Sequence, residues 1–169
     1  DLKNIIQSLL DNSKYKIVFR PYPGNKKTDK VLKIKNFFLN NKNFIFDLSD
    51  NYFDIYANSV CLITDISGTA FTFAYATGKP VIFFSKMEKS LNNLGFSKLD
   101  YFKDRKKIGV IAETPNEILS FIKNLPEIKK QIKITNKNLL EQIHYLGKSK
   151  QRIKEIVDKI VTKNYKNIN

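Results

Sequence analysis

Five short runs constrain this chain more than any other feature: residues 16–20 (KIVFR), 44–48 (FIFDL), 60–64 (VCLIT), Val81–Phe84 (VIFF) and Gly109–Ala112 (GVIA). Each is rich in β-branched or aromatic residues, and its apolar character is continuous rather than alternating. Runs of that kind suit strands buried on both faces, which is the situation of a parallel sheet covered by helices. The segments between them carry helical spacing. The pattern therefore predicts an α/β protein with a doubly wound, Rossmann-like parallel sheet.

The helices can be placed from their apolar spacing and end signals. Leu2, Ile5, Ile6, Leu9 and Leu10 make an amphipathic opening helix. Pro21 ends the first strand, and residues 21–25 form a loop. Thr28 or Asp29 can cap a helix carrying Val31, Leu32, Ile34, Phe37, Phe38 and Leu39, which Asn40 and Asn41 break. A short helix is expected near residues 52–57, then a turn at 65–69 and a helix over 70–76 that Gly78, Lys79 and Pro80 stop. Thr114 precedes Pro115 and Glu117, an N-cap with proline at the first helical position, and starts a helix through Leu125. Two more helices are expected after it. In the last, Ser149 can cap, and Ile153, Ile156, Val157, Ile160 and Val161 form a stripe expected to pack on the sheet.

The chain has 169 residues, about one domain's worth, so residues 1–169 read as one domain. It opens at Asp1 already inside a helix, which gives the expectation that it is a fragment of a longer protein. With 42% hydrophobic and 12% aromatic residues it is too apolar for a disordered tail or a collagen-like fibre. No apolar run approaches the roughly 18 residues of a membrane span, and no signal-like segment opens the chain. The single cysteine, Cys61, excludes an internal disulfide framework and a cysteine-based zinc cluster, so a reducing cytoplasm is the expected setting.

The net charge of +14 is unevenly spread. Residues 123–169 carry 12 basic against 4 acidic side chains, while residues 1–122 carry 18 against 12. Lysine-rich helices attract phosphates of nucleic acid or of anionic lipid without needing specific contacts. The abundance of Lys, Asn and Ile is also the bias of an AT-rich genome, and a solvated lysine face accounts for the same residues.

In open parallel sheets ligands bind at the carboxyl ends of the strands, where loops turn into helix N-termini. Two such loops stand out. In Arg20-Pro21-Tyr22-Pro23-Gly24 two prolines and a glycine stiffen a strand exit beside one of three arginines in the chain. A guanidinium there can bind phosphate oxygens in bidentate fashion, or can make an ordinary ion pair within the fold. In Thr64-Asp65-Ile66-Ser67-Gly68-Thr69, small hydroxyl residues and a glycine lead into a helix, a combination suited to phosphate and equally to helix capping. Asp65 can orient that loop through an Asx-type bond. No G-x-x-x-x-G-K-[ST] or G-x-G-x-x-G stretch occurs, which argues against a P-loop ATPase or a standard dinucleotide site. The one histidine, His144, falls in an expected C-terminal helix with no partner ligand for a metal. Neither a metal nor a cofactor is expected.

Taken in order, FRPYPG, LSDNYFDIYANSVCLITDISGTAFTFAYATGKPVIFF, NLGF, AETPNEI and YLGKSKQRIKEIV resemble the C-terminal half of the CDP-glycerol glycerophosphotransferase family. These are teichoic-acid polymerases and primases of the cell envelope, with a two-domain GT-B glycosyltransferase fold. The resemblance runs from about residue 15 to about residue 160 and is most specific over residues 62–84. It implies the nucleotide-donor-binding half of such an enzyme, with an acceptor half on the N-terminal side. By that resemblance Ser67, Gly68 and Thr69 match the donor-phosphate turn, and Arg20 begins the loop near the donor pyrophosphate. Tyr22 stands where the family has a histidine, and so takes the catalytic position. A phenol can donate a hydrogen bond to phosphate, but with a reference pKa of about 10 it is a poor general base at neutral pH. A sugar or another polyol phosphate therefore stays open as the transferred group.

The resemblance implies further that the donor is a nucleotide diphosphate, CDP-linked first, and that the acceptor is a growing polymer or lipid-linked primer. The enzyme would then work in the cytoplasm or peripherally at the inner face of the cell membrane, where the basic tail meets anionic lipid. Two other enzymes remain open on the same fold: a capsule-polymer glycosyltransferase and a nucleotide-sugar epimerase half. A reading of another class is a basic nucleic-acid-binding or membrane-surface module. Against nucleic acid, the basic residues sit on helices with an apolar stripe, and no aromatic-laced or zinc-binding motif accompanies them.

Overall fold

A computed structural model describes residues 2–132 and 147–166. The chain divides into two compact units, Asp1–Lys133 and Ile134–Asn169. His144 and the first of the two expected C-terminal helices lie outside the described residues.

The first unit is a Rossmann-like α/β fold. It runs α1 (Leu2–Asn12), β1 (Ile17–Phe19), α2 (Asp29–Phe38), β2 (Phe44–Phe46), α3 (Phe53–Asn58), β3 (Leu62–Thr64) and α4 (Thr69–Thr77). It continues with β4 (Val81–Phe84), α5 (Glu88–Asn93), α6 (Asp100–Ile108), β5 (Gly109–Ala112), α7 (Pro115–Lys123) and α8 (Leu125–Gln131). All five expected strands form, and every pairing among them is parallel. The ladders are two, however: β1 with β2, and β3 with β4 and β5, in place of one continuous sheet. With β1 and β3 only three residues long, side chains join the two ladders: Ile17 and Ile63 pack on the same apolar cluster.

The central strand β4 shows why its run is continuously apolar. Val81, Ile82 and Phe83 are all fully buried, although successive residues of a strand face opposite ways. Ile82 meets Ile5 and Leu9 of α1 and Ile118 and Ile122 of α7 on one face. Phe83 lies under the Arg105 guanidinium of α6 on the other, 5.5 Å from its ring centroid. Helices thus cover both faces, and each buried aliphatic or aromatic side chain contributes roughly 1.5 to 3 kcal/mol. A second cluster of Ile6, Phe38 and Phe44 packs α1 and α2 onto β2.

The helix ends follow the sequence signals closely. Gly78 sits in the left-handed region at φ 64°, and its amide donates to the Ala74 carbonyl at 2.8 Å, closing α4 just before Pro80. The Thr114 hydroxyl accepts from the Glu117 amide at 3.2 Å, and the Glu117 carboxylate accepts from the Glu113 amide at 2.8 Å. Thr28 is the N-cap residue of α2, but its hydroxyl donates to the Asn25 carbonyl instead of capping.

Residues 85–108 carry structure that no run in the sequence marked. α5 and α6 hold a buried pair in which Arg105 donates from Nη2 to Glu88 Oε1 at 2.7 Å. Arg105 is 1% exposed, and its guanidinium lies 4.4 Å from the Phe102 ring centroid.

In the second unit the described element is α9 (Ser149–Lys166). Ile153, Ile156, Val157, Ile160 and Val161 lie along this one helix, as their spacing predicts.

Candidate functional site

The exit of β3 turns into α4 through Asp65, Ile66, Ser67 and Gly68. Asp65, Ile66, Gly68 and Thr69 are exposed, and Ser67 is half-buried. Gly68 is the N-cap residue in right-handed helical backbone, φ −63°, and nothing lies within 4 Å of where a Cβ would stand. The glycine is therefore not demanded by strain or crowding within the fold, and its effect is to leave the helix start open.

The first amides of α4 already have partners. The Ser67 hydroxyl accepts from the Thr69 amide at 3.3 Å, the Ser67 carbonyl from the Ala70 amide at 3.2 Å, and the Gly68 carbonyl from the Phe71 amide at 3.2 Å. All three are at the long end of hydrogen-bond distances. The Ser67 amide itself donates to the Tyr101 hydroxyl at 2.7 Å, and that hydroxyl donates to the Ser67 carbonyl at 3.2 Å. Tyr101 is held edge-on by Phe71 and Phe102. Burial pushes its phenol pKa up, and the nearby Asp65 carboxylate adds to the rise against the opposing effects of the Ser67 backbone and Arg105. Among the described residues the turn is fixed by Ser67 and Tyr101.

The loop after β1 is organised separately. Arg20 Nη1 donates to the Asp47 carboxylate and to the Ser49 hydroxyl at 3.2 Å, and Nη2 donates to the Ser49 carbonyl. The ion pair weighed for Arg20 as an alternative to phosphate contact is thus present, tying the exit of β1 to that of β2. Burial alone would raise the Asp47 pKa, but the Ser49 amide and hydroxyl and the Arg20 guanidinium outweigh it and hold the carboxyl below its ordinary range. Tyr22 is 74% exposed. Its ring leans over Gly24, where an added Cβ would come within 3.0 Å of a ring carbon, and the Tyr22 carbonyl accepts from the Asn25 amide at 2.8 Å.

Ring contacts link the two loops. The Arg20 guanidinium lies 5.7 Å from the Tyr52 ring centroid, Tyr52 lies 4.9 Å from Tyr56, and Tyr56 meets Phe73 of α4 edge-on at 5.1 Å. Lys79 reinforces the same region by donating from Nζ to the Ala57 carbonyl at 2.6 Å, at the end of α3. Ser67, Gly68 and Thr69 therefore share one turn, and Arg20 belongs to a separate polar cluster with Asp47 and Ser49, linked to α4 through the rings of Tyr52, Tyr56 and Phe73.

Tyr101 and Arg105 escaped the sequence reading. Both lie on α6, whose sequence DYFKDRKKI is dominated by charge and puts an arginine into its buried face. The one available signal was the spacing of Phe102, Arg105 and Ile108, and it emerges only if Arg105 is granted a buried partner. Cys61 plays no part in the site, and burial pushes its thiol up to about 12. Among the described residues no group of three or more His, Cys, Asp or Glu side chains is placed to hold a metal ion. Nor is any described helix long and apolar enough to cross a membrane.

The fold and this turn define the class: a Rossmann-like α/β unit whose β3 exit opens to solvent at a helix N-terminus. Within it, the chain belongs to the CDP-glycerol:poly(glycerophosphate) glycerophosphotransferase family, whose family model matches residues 1–163. Membership makes the protein a glycerophosphotransferase-like transferase and implies a nucleotide-activated donor in general. Comparison with curated proteins and with solved structures returned no match.

Proposed function

We propose that this chain is the donor-binding part of a GT-B transferase that moves a polyol phosphate, or a sugar, from a nucleotide-diphosphate donor onto a growing cell-surface polymer. The observation that carries this reading is the family match over residues 1–163, combined with the solvent-open turn at the β3 exit. CDP-linked donors suit the family best, and the acceptor half would come from outside these residues.

In this reading the donor diphosphate sits over Gly68 and takes the amides of Thr69 and Ala70. Their present bonds, at 3.3 and 3.2 Å, exchange for shorter, charge-assisted bonds to phosphate oxygens. Those amides then stabilise the charge that builds on the departing nucleotide. Arg20 contacts the donor only by sharing nitrogens that already serve Asp47 and Ser49, so its main effect is to stiffen the two strand exits. The exposed Tyr22 hydroxyl is a hydrogen-bond donor for phosphate. The lysine-rich C-terminal part suits work beside the anionic inner face of a membrane, where a lipid-linked acceptor lies.

Titration calorimetry with CDP, CMP and UDP tests the donor site. CDP should bind more tightly than CMP because the second phosphate adds contacts, and the double variant Ser67→Ala, Thr69→Ala should weaken both. Absence of heat with all three nucleotides, or binding indifferent to the double variant, removes the donor-site assignment.

A further inference from the structure

The Ser67 carbonyl oxygen is the meeting point of two hydrogen-bond donors from different helices. The Ala70 amide of α4 and the Tyr101 hydroxyl of α6 both reach it, each at 3.2 Å. One neutral oxygen thus divides its lone pairs between two long bonds. The bond that the Tyr101 oxygen accepts from the Ser67 amide is much shorter, 2.7 Å. A hydroxyl that accepts a short bond is polarised toward giving up its own proton. Tyr101 is therefore firmly engaged as an acceptor and loosely engaged as a donor.

A phosphate oxygen accepts more strongly than a carbonyl that already serves two partners. Seating the nucleotide's diphosphate on the Ala70 amide draws that amide away from Ser67, and the same exchange is open to the Tyr101 hydroxyl, because both converge on a single atom. Turning the hydroxyl about its C–O bond re-aims the proton without moving the ring, which stands between Phe71 at 5.5 Å and Phe102 at 5.3 Å. Two charges act on the phenol oxygen. Arg105, one turn further along α6, favours an anion beside it, and Asp65 opposes one. The guanidinium is 1% exposed and its Nε has no partner among the described residues, so its field is weakly screened, whereas the Asp65 carboxylate is exposed to solvent.

We propose that Tyr101 is a direct phosphate ligand of the nucleotide site: its hydroxyl keeps the Ser67 amide as a donor and turns its proton from the Ser67 carbonyl to a phosphate oxygen. A relay then runs from backbone amide through phenol to anion, and α6 contributes a side chain to a turn otherwise made by residues 67–70. The proposal rests on the donor-site reading above and names a residue that the sequence did not mark.

The test uses the whole chain, with pyrophosphate as a probe that carries the anion without a nucleoside, and CDP beside it. Tyr101→Phe keeps the ring contacts and should weaken both ligands roughly tenfold or more in titration calorimetry. A loosened turn would also weaken them, so a second variant separates the two roles. Tyr101→3-fluorotyrosine withdraws electrons from the phenol, making its hydroxyl a stronger donor and a poorer acceptor. Burial, which raises the Tyr101 pKa, keeps the fluorinated phenol protonated at pH 7. A phosphate ligand predicts that this variant binds pyrophosphate and CDP more tightly than the parent. A hydroxyl that only holds the Ser67 amide predicts equal or weaker binding, and that result overturns the proposal, as does Tyr101→Phe binding both ligands like the parent. Failure of the donor-site reading has a different signature: the parent itself binds neither ligand, and the proposal falls with it.

Discussion

The Tyr101 hydroxyl accepts a hydrogen bond from the Ser67 amide at 2.7 Å and returns one to the Ser67 carbonyl at 3.2 Å. One phenol from α6 thereby closes the turn that α4 grows out of, across 34 residues of sequence. Tyr101→Phe keeps the ring contacts with Phe71 and Phe102 and removes only this bridge. The variant should lose about 1 kcal/mol of stability in urea unfolding. Amide exchange at Ser67 should accelerate with it. A variant as stable as the parent, with Ser67 equally protected, would show that the bridge does not hold the turn.

Gly68 and Gly109 make opposite predictions. A Cβ at Gly109 would stand 2.1 Å from the Val81 carbonyl oxygen, a backbone atom that β4 cannot move, so Gly109→Ala should cost roughly 3 kcal/mol or more or prevent folding. A Cβ at Gly68 meets nothing, and its backbone already suits alanine. Gly68→Ala should therefore stay within about 0.5 kcal/mol of the parent. It should still weaken CDP binding, because the methyl stands over the helix start where the donor phosphate is proposed to sit. Unchanged CDP affinity in a stable Gly68→Ala variant would place the phosphate elsewhere.

Arg105 and Glu88 form a buried pair that tolerates joint replacement better than single loss. Arg105→Met alone strands the Glu88 carboxylate in the core and should cost about 3 to 5 kcal/mol. Changing both, with Glu88→Leu, should recover most of that loss. A thermal or urea unfolding series of the two singles and the double checks it, and additive losses would contradict the coupling.

Asp47 governs part of the acid response. Its carboxyl pKa is lowered in the fold from a model-peptide value of 3.8, so its contribution to stability is complete above that value. The contribution is lost as pH falls through the lower folded value. Asp47→Asn should destabilise the protein at pH 7 by about 1 to 3 kcal/mol, since Arg20 loses its anionic acceptor. The gap between variant and parent should narrow below about pH 4. Urea midpoints across that range read it directly, and a gap that stays constant would remove Asp47 as the titrating group.

The strands and most helix ends were legible because each depends on local chemistry. A continuous apolar run such as Val81–Phe84 has nowhere to go but a doubly covered strand, and Gly78 before Pro80 can hardly do anything but stop a helix. The turn at Ser67 was legible for the same reason, being a compact string of small and hydroxyl residues. Its closure by Tyr101 was not, since nothing near residue 67 records a phenol arriving from residue 101. α6 was hidden because Arg105 interrupts the apolar spacing that would have revealed it, and only burial beside Glu88, Phe83 and Phe102 makes that arginine a core residue.

By itself, then, the sequence determined the parallel α/β class, the order of its five strands and the family, because apolar continuity and motif order survive without coordinates. The tertiary structure alone decided the partners: Asp47 and Ser49 for Arg20, Tyr101 for Ser67, and Glu88 for Arg105. Hydrogen bonds and packing join residues that are distant along the chain, and a residue's type announces its capacity for a partner without naming which one will be in reach.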